Sequence, residues 1–427
     1  MEISFTPSPD VVVILNALLD KLENRARHNH VVSESEGTYH ASRSLKISLS
    51  DLALPSYFSQ TDPEPRIITN QQLQTLEQHG LLQLKWLPGE TNHLLHSITL
   101  QMEQATLTTQ HEALYQLLNR EPLSNHRARL ESLLLSDKFR YPKEDWRARV
   151  LNHTLQQLRS GKSPAPFSLT DSNLNLDLLV VLQALPTLTV ETPHRVFSVR
   201  VFNDSKRFED LKPALVRLAR RAHPEWKSLT SEDLLREFNL VANPGYVHLA
   251  GHWELTDTNG QVIHLGSFIP SVGFPASQIA SIQHIAINSK SVLCIENLTS
   301  FHEFTRGNGR NLIPYATICL MGNPSPAIRH LLCLIPKEIP IYLWSDIDYG
   351  GFNILSQLRR QVSPRIQPYR MDIATLENYA HSSRPLTRVD MHSLKRLALN
   401  PVLKDVHLTI EHMLKRGLKL EQEAIQT

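Results

Sequence analysis

Three short, almost wholly apolar runs in the last third of the chain constrain its fold most: residues 291–295 (SVLCI), 316–320 (ATICL) and 340–344 (PIYLW). A strand that is apolar at every position is covered on both faces, as in a parallel sheet with crossover helices on either side. Helical patterns fill the intervals, one reaching about residue 334 and another at 352–360, so repeated β-α units and a mostly parallel α/β domain are predicted. Each run stops abruptly in polar sequence. The first ends at Glu296-Asn297, the second at Met321-Gly322-Asn323-Pro324, and the third at Asp346-Ile347-Asp348-Tyr349-Gly350-Gly351.

Open α/β sheets place their sites at the carboxyl ends of the strands, where these acids fall. Asp346 and Asp348 are two apart, so on extended backbone both side chains project to one face. Two carboxylates in one concavity repel unless a cation lies between them. Hard oxygen donors in small number suit magnesium, which keeps several waters and bridges to phosphate, and manganese can substitute. Glu296 is placed to join as a third ligand or as general acid/base. Gly350 and Gly351 allow a tight turn and close approach of a phosphate to the following helix. The plainer alternative makes Asp346 or Asp348 a helix cap and Glu296 an ordinary loop carboxylate.

Earlier sequence reads as separate modules. Apolar residues from Val11 to Leu22 are spaced for one helix face, and residues 44–50 alternate as a short strand. Thr69 or Asn70 is expected to cap a helix ending at Gln78–Gly80. A strand over 81–86, a Pro88-Gly89 turn and a returning strand over 94–100 complete a helix–strand–turn–strand pattern. That is the core of a winged helix, a module that often enters a DNA groove. Lys85, His93 and His96 fall on or beside the wing. Residues 104–160 read as polar helices with basic clusters at Arg127-Arg129 and Arg147-Arg149, interleaved with Tyr141 and Trp146. Such clusters track phosphate backbones or simply solvate a helix face. Residues 161–168 read as a linker. The alternating run VFSVRVFN at 196–203 reads as a strand, followed by a helix with Arg217, Arg220 and Arg221 on its exposed side. Residues 246–249 and 262–265 read as a hairpin around the 257–260 turn.

The chain has 427 residues, enough for several domains. Lys plus Arg number 44 and Asp plus Glu 42, a net charge of +2, so only local patches can favour a polyanion. Three cysteines without metal spacing point to reduced thiols in core positions and a cytoplasmic protein. No apolar stretch reaches the length of a bilayer span, so no membrane partner is expected.

A strand-terminal Glu followed two β-α units later by Asp-x-Asp resembles the Toprim domain of topoisomerases, primases and related nucleases. More closely, VLCIENLTSFHEF, CLMGNPSPAIRHLL, YLWSDIDYGGFNILSQLR and LKLEQEAI together resemble the JetD family of the Wadjet plasmid-defence systems. The NDSKRFE segment at 203–209 matches that family's upstream portion, and the resemblance spans about residues 195–427. It implies a layout similar to the topoisomerase VI A subunit: a multidomain α/β plus α+β protein with a winged-helix-like module (1–103), a helical arm and linker (104–190), a middle α+β region (191–280) and a Toprim-like catalytic domain (281–427). It implies a DNA endonuclease that cuts plasmid DNA recognised by an SMC/kleisin/kite motor complex of the same operon; magnesium is expected from the carboxylates themselves, and a homodimer because cutting both strands needs two sites. Glu296, Asp346 and Asp348 take the positions of the Toprim acids, with Glu421 and Glu423 of the LEQE segment as further acidic candidates. Arg127, Arg129, Arg147, Arg149, Arg217, Arg220, Arg221 and Lys85 are the candidate DNA contacts.

One departure bears on mechanism. Topoisomerase relatives carry a tyrosine nucleophile closely preceded by an arginine in the winged-helix module. Tyr57 sits in a proline-rich loop without one, and Arg365…Tyr369 lies in the Toprim-like region, so hydrolysis rather than covalent religation is expected. Two other Asp-x-Asp chemistries fit less well. A haloacid-dehalogenase-type phosphatase wants Thr or Val where Gly350 stands, and a sugar transferase needs a nucleotide-binding half that this sequence lacks. The non-enzymatic alternative is a DNA- or motor-binding adaptor with a degenerate Toprim domain.

Overall fold

The computed structural model describes residues 5–32, 45–101, 107–307 and 315–425. It divides into two compact units: Met1–Leu179 with Arg217–Ala222, and Val180–Val216 with His223–Thr427.

In the first unit the helix Pro9–Val32 buries Val11, Ile14, Leu15, Leu18 and Leu19. This i, i+3, i+4 stripe packs with a three-stranded antiparallel sheet ordered Leu45–Ser48, Leu95–Leu100, Leu82–Trp86. The adjoining helix, Glu64–Gln78, turns Leu73 and Leu76 into the same core. It starts five residues before Thr69, because Pro63 precedes it and Pro65 occupies the first turn, where a missing N–H costs nothing. Thr69 and Asn70 are therefore buried inside the helix and do not cap it. Asn70 instead accepts from the Tyr57 hydroxyl (2.9 Å) and donates to the carbonyls of Asn92 and His93. One amide thus ties the helix to the turn between two strands. Gly89 in that turn has φ +80°.

The region read as helical holds the helices Leu107–Leu117, Leu123–Leu134, Trp146–Arg159 and Ser172–Ala184. The 161–168 segment departs from a free linker. Phe167 is 3% exposed, and Asn175 brackets Ser168 with bonds to its N–H (2.8 Å) and carbonyl (2.6 Å).

Two further expectations are corrected in the second unit. The run at 196–203 is a helix, His194–Phe202, closed by Asn203 in the left-handed region. Its valines mimic a two-residue period, but His194, Phe197 and Ser198 are the buried residues, and their spacing of three and four is helical. The hairpin around 257–260 is formed by Trp253–Asp257 and Val262–His264. Tyr246–Ala250 belongs to another sheet, paired with Val272–Pro275 and with Tyr315–Cys319.

That main sheet has six strands in the order Gln367–Pro368, Ile341–Trp344, Ser291–Ile295, Tyr315–Cys319, Tyr246–Ala250, Val272–Pro275. The first four run parallel and the last two pair antiparallel. Ser291–Ile295 is buried at every position, with Cys294 level with Ile318 on one side and Leu343 on the other. Helices Leu298–Gly307, Pro326–Leu334 and Tyr349–Gln361 supply the crossovers and join the same apolar core. Cys294 and Cys319 are buried and burial pushes both thiols up, Cys319 to about 11. Cys333 is exposed, contrary to the core position expected for it. Among the described residues, no helix is long and apolar enough to cross a membrane.

Candidate active site

The register of the parallel strands brings the acids together. Ile295 is paired with Trp344, so the residues that follow, Glu296 and Ser345-Asp346, leave the sheet side by side. Glu296 N–H donates to Trp344 O at 3.0 Å and closes the ladder. Glu296 Oε2 accepts from the Ser345 hydroxyl and from the Asp346 N–H (3.3 Å). Asp346 Oδ1 accepts from the Gln422 N–H at 2.6 Å. Asp348 caps the helix Tyr349–Gln361, its Oδ1 accepting from the Gly351 N–H at 2.8 Å. The capping role weighed from sequence is therefore real for Asp348, and it fixes that carboxylate at the site's edge.

The turn leaves no room for a side chain at Gly351. A Cβ there would lie 2.1 Å from Asp346 O and 2.5 Å from Ser345 Oγ. At Gly350 it would meet only the Asp348 carboxylate, at 3.2 Å.

Electrostatics mark these groups as unusual. Burial, then the neighbouring Glu296 carboxylate, push Asp346 from its usual 3.8 up to about 7, against the pull of the Gln422 N–H. Burial also raises Glu296, and the charges of Asp348 and Glu423 add to that rise while Ser345 opposes it. Asp348 is raised by burial, with the Gly351 N–H and the Lys419 charge working against it. Four carboxylates thus act on one another at the mouth of the sheet, a concentration of negative charge that a divalent cation relieves.

Of the two LEQE acids, Glu423 belongs to this group, its Oε1 accepting from the Asn297 side-chain amide. Glu421 turns away to Arg384 at 2.8 Å. Ser345, Asn297 and Gln422 were missed by sequence reasoning. Ser345 sits beside Asp346 in SDID and offered a signal; Gln422 lies 76 residues from Asp346 and offered none.

The basic candidates all belong to the first unit. In the first unit Arg129 pairs with Glu121 (2.6 Å), and Arg147 pairs with Asp145 (2.5 Å) beneath the Tyr141 ring. Arg127 is half-buried and donates to Gly161 O (3.3 Å); Arg221 donates to Ala165 O, and Arg220 is half-buried. Lys85, Arg149 and Arg217 are exposed. Tyr57 is wholly buried, its hydroxyl bonded to Asn70 and to the Leu95 N–H (3.0 Å). Tyr369 packs against Trp344, Tyr315 and Tyr342.

Together, the parallel strands and the acids at their carboxyl ends define an α/β domain with a clustered carboxylate site. Residues 249–427, which contain all of it, match the family model described as Wadjet protein JetD, C-terminal. The chain is also 25% identical over 425 residues to the Wadjet protein JetD of Bacillus cereus (strain Q1), covering 96% of this chain and 97% of that protein. The C-terminal part of the chain thus matches the JetD family model, and the chain is similar to JetD along nearly its whole length.

Proposed function

We propose that this chain is the metal-dependent DNA endonuclease of a Wadjet-type plasmid-defence system. The reading is carried by the half-buried cluster of Glu296, Asp346 and Asp348 at the ends of neighbouring parallel strands, where burial and mutual repulsion oppose ionisation. The strand order and the position of the acids support a Toprim-type domain. The helix and three-stranded sheet of the first unit support a winged-helix module.

The donor chemistry fits a hard divalent cation. Among the described residues no group of three or more His, Cys, Asp or Glu side chains is placed to hold a metal ion. Magnesium typically takes one or two carboxylates and fills its shell with water and phosphate oxygens. Asp346 and Asp348 would hold it, with manganese as a substitute, and when bound it would neutralise the scissile phosphate and activate water. Glu296 is the proton acceptor. Ser345 engages its Oε2, leaving Oε1 to take a proton from the attacking water, and its raised basicity suits proton transfer nearer neutral pH. With Tyr57 buried, no tyrosine ester is formed and the phosphodiester is hydrolysed.

The substrate is double-stranded plasmid DNA, held by exposed cations such as Lys85, Arg149 and Arg217. Two chains related by a two-fold axis would cut both strands. Wadjet partners, an SMC/kleisin/kite motor complex, would license cutting. The adaptor reading, with a degenerate site, is less favourable because burying these carboxylates without a cation is costly.

The test is incubation of supercoiled plasmid with the chain, with and without the motor subunits of its operon, in magnesium or manganese. Nicking or linearisation by wild type, lost in Glu296→Gln and Asp346→Asn, is expected. Equal cutting by all three would overturn the site, and no cutting even with the motor would favour the adaptor.

A further inference from the structure

We infer that Gln422 is a positioning residue for the acidic site, a role that rests on reading that site as a metal-dependent hydrolase. The strands Ser291–Ile295 and Ile341–Trp344 stay paired until Glu296 N–H reaches Trp344 O. Beyond that bond they part: Asn297 leads into the helix Leu298–Gly307, and Ser345-Asp346 leads towards the helix Tyr349–Gln361. A crevice between diverging strands leaves peptide groups that need partners.

The Gln422 amide fills that place. Its Nε2 donates to Trp344 O at 3.0 Å and its Oε1 accepts from Asn297 N–H at 3.0 Å. The residue is wholly buried. A primary amide offers donor and acceptor in one plane, as a peptide group does, so it stands in for the next rung of the ladder. The backbone N–H of the same residue holds Asp346 Oδ1 at 2.6 Å. One residue therefore sets the separation of the two strand ends and the orientation of a carboxylate proposed to hold the cation. Outer hydrogen bonds of this kind orient metal-ligating carboxylates, and losing them typically weakens metal binding about 10–100-fold.

Gln422 is not needed to anchor its own segment. Leu420 pairs with Ile347 through N–H···O bonds of 2.8 and 3.2 Å, Leu420 and Ile425 are buried, and Glu421 pairs with Arg384. The amide can be removed while the segment stays docked, which separates positioning from mere attachment.

The experiment titrates Mn2+ into the full chain and reads bound metal by electron paramagnetic resonance. It compares wild type, Gln422→Met, which keeps the bulk without the amide, and Leu420→Ala, which loosens the segment but keeps the amide. Roughly tenfold or weaker Mn2+ binding is expected in Gln422→Met. Leu420→Ala should lower the melting temperature and keep Mn2+ affinity close to wild type. Wild-type affinity in Gln422→Met would overturn the inference. If wild type itself binds no Mn2+, the hydrolase reading fails, and hydrogen exchange then decides positioning alone. Faster exchange of the Asn297 N–H in Gln422→Met than in Leu420→Ala would support it, and equal protection would overturn it.

Discussion

Replacing Asp346 by asparagine is expected to stabilise the metal-free protein by roughly 2–4 kcal/mol at pH 7.5 and by almost nothing at pH 4. The folded protein raises this carboxyl from 3.8 to about 7, first through burial and then through Glu296. Between those two values the folded state keeps a proton that the unfolded chain has already released. Stability is therefore fully present below about pH 4 and falls as pH rises towards 7. Each tenfold change in the carboxyl's proton affinity is worth about 1.4 kcal/mol, and the lower end of the range allows for sharing of the proton with Glu296. Asparagine carries no charge and keeps an oxygen for the Gln422 N–H, so it removes the penalty without emptying the site. Urea unfolding in EDTA at several pH values measures the difference. A constant difference between variant and wild type from pH 4 to pH 7.5 would contradict the account. The same change is expected to abolish cutting, an exchange of stability for activity common at functional sites.

Gly351→Ala is expected to cost about 3 kcal/mol or more, beyond ordinary overpacking, because the obstruction is backbone. The added methyl would lie 2.1 Å from Asp346 O and could be accommodated only by moving the turn that carries both aspartates. For a domain of this size that amounts to a fall in melting temperature of roughly 6–12 °C. Gly350→Ala is the control. Its methyl meets a carboxylate oxygen at 3.2 Å, which a small rotation relieves, so a much smaller fall is expected. Thermal melts of the two variants make the comparison, and equal melting temperatures would show that the turn is looser than described.

The parallel strands and their terminal acids were legible because both signals are local. An unbroken apolar run of four or five residues tells of burial on two faces, and the acid that ends it is its neighbour in sequence. What escaped was decided by residues outside the run itself, some adjoining it and some distant. VFSVRVFN looks like a strand until Pro193, Asn203 and the burial of His194, Phe197 and Ser198 make it a helix. Tyr246–Ala250 looked like half of a hairpin, but Val272–Pro275 and Tyr315–Cys319 claim it. Thr69 looked like a cap, but Pro63 and Pro65 start its helix five residues earlier. Arg147, a candidate phosphate contact, also pairs through both carboxylate oxygens with Asp145, which the basic pattern alone did not suggest. Gln422 could not be found from its neighbours, since its partners are 78 and 125 residues away.

Metal binding is the most direct test of the central claim, because it needs neither DNA nor a licensing partner. Isothermal titration of Mn2+ or Mg2+ into the chain at pH 7.5 should give saturable binding in wild type and none in Asp346→Asn. Binding that survives unchanged in Asp346→Asn would place the cation elsewhere and contradict the assignment of this acidic cluster as the catalytic site.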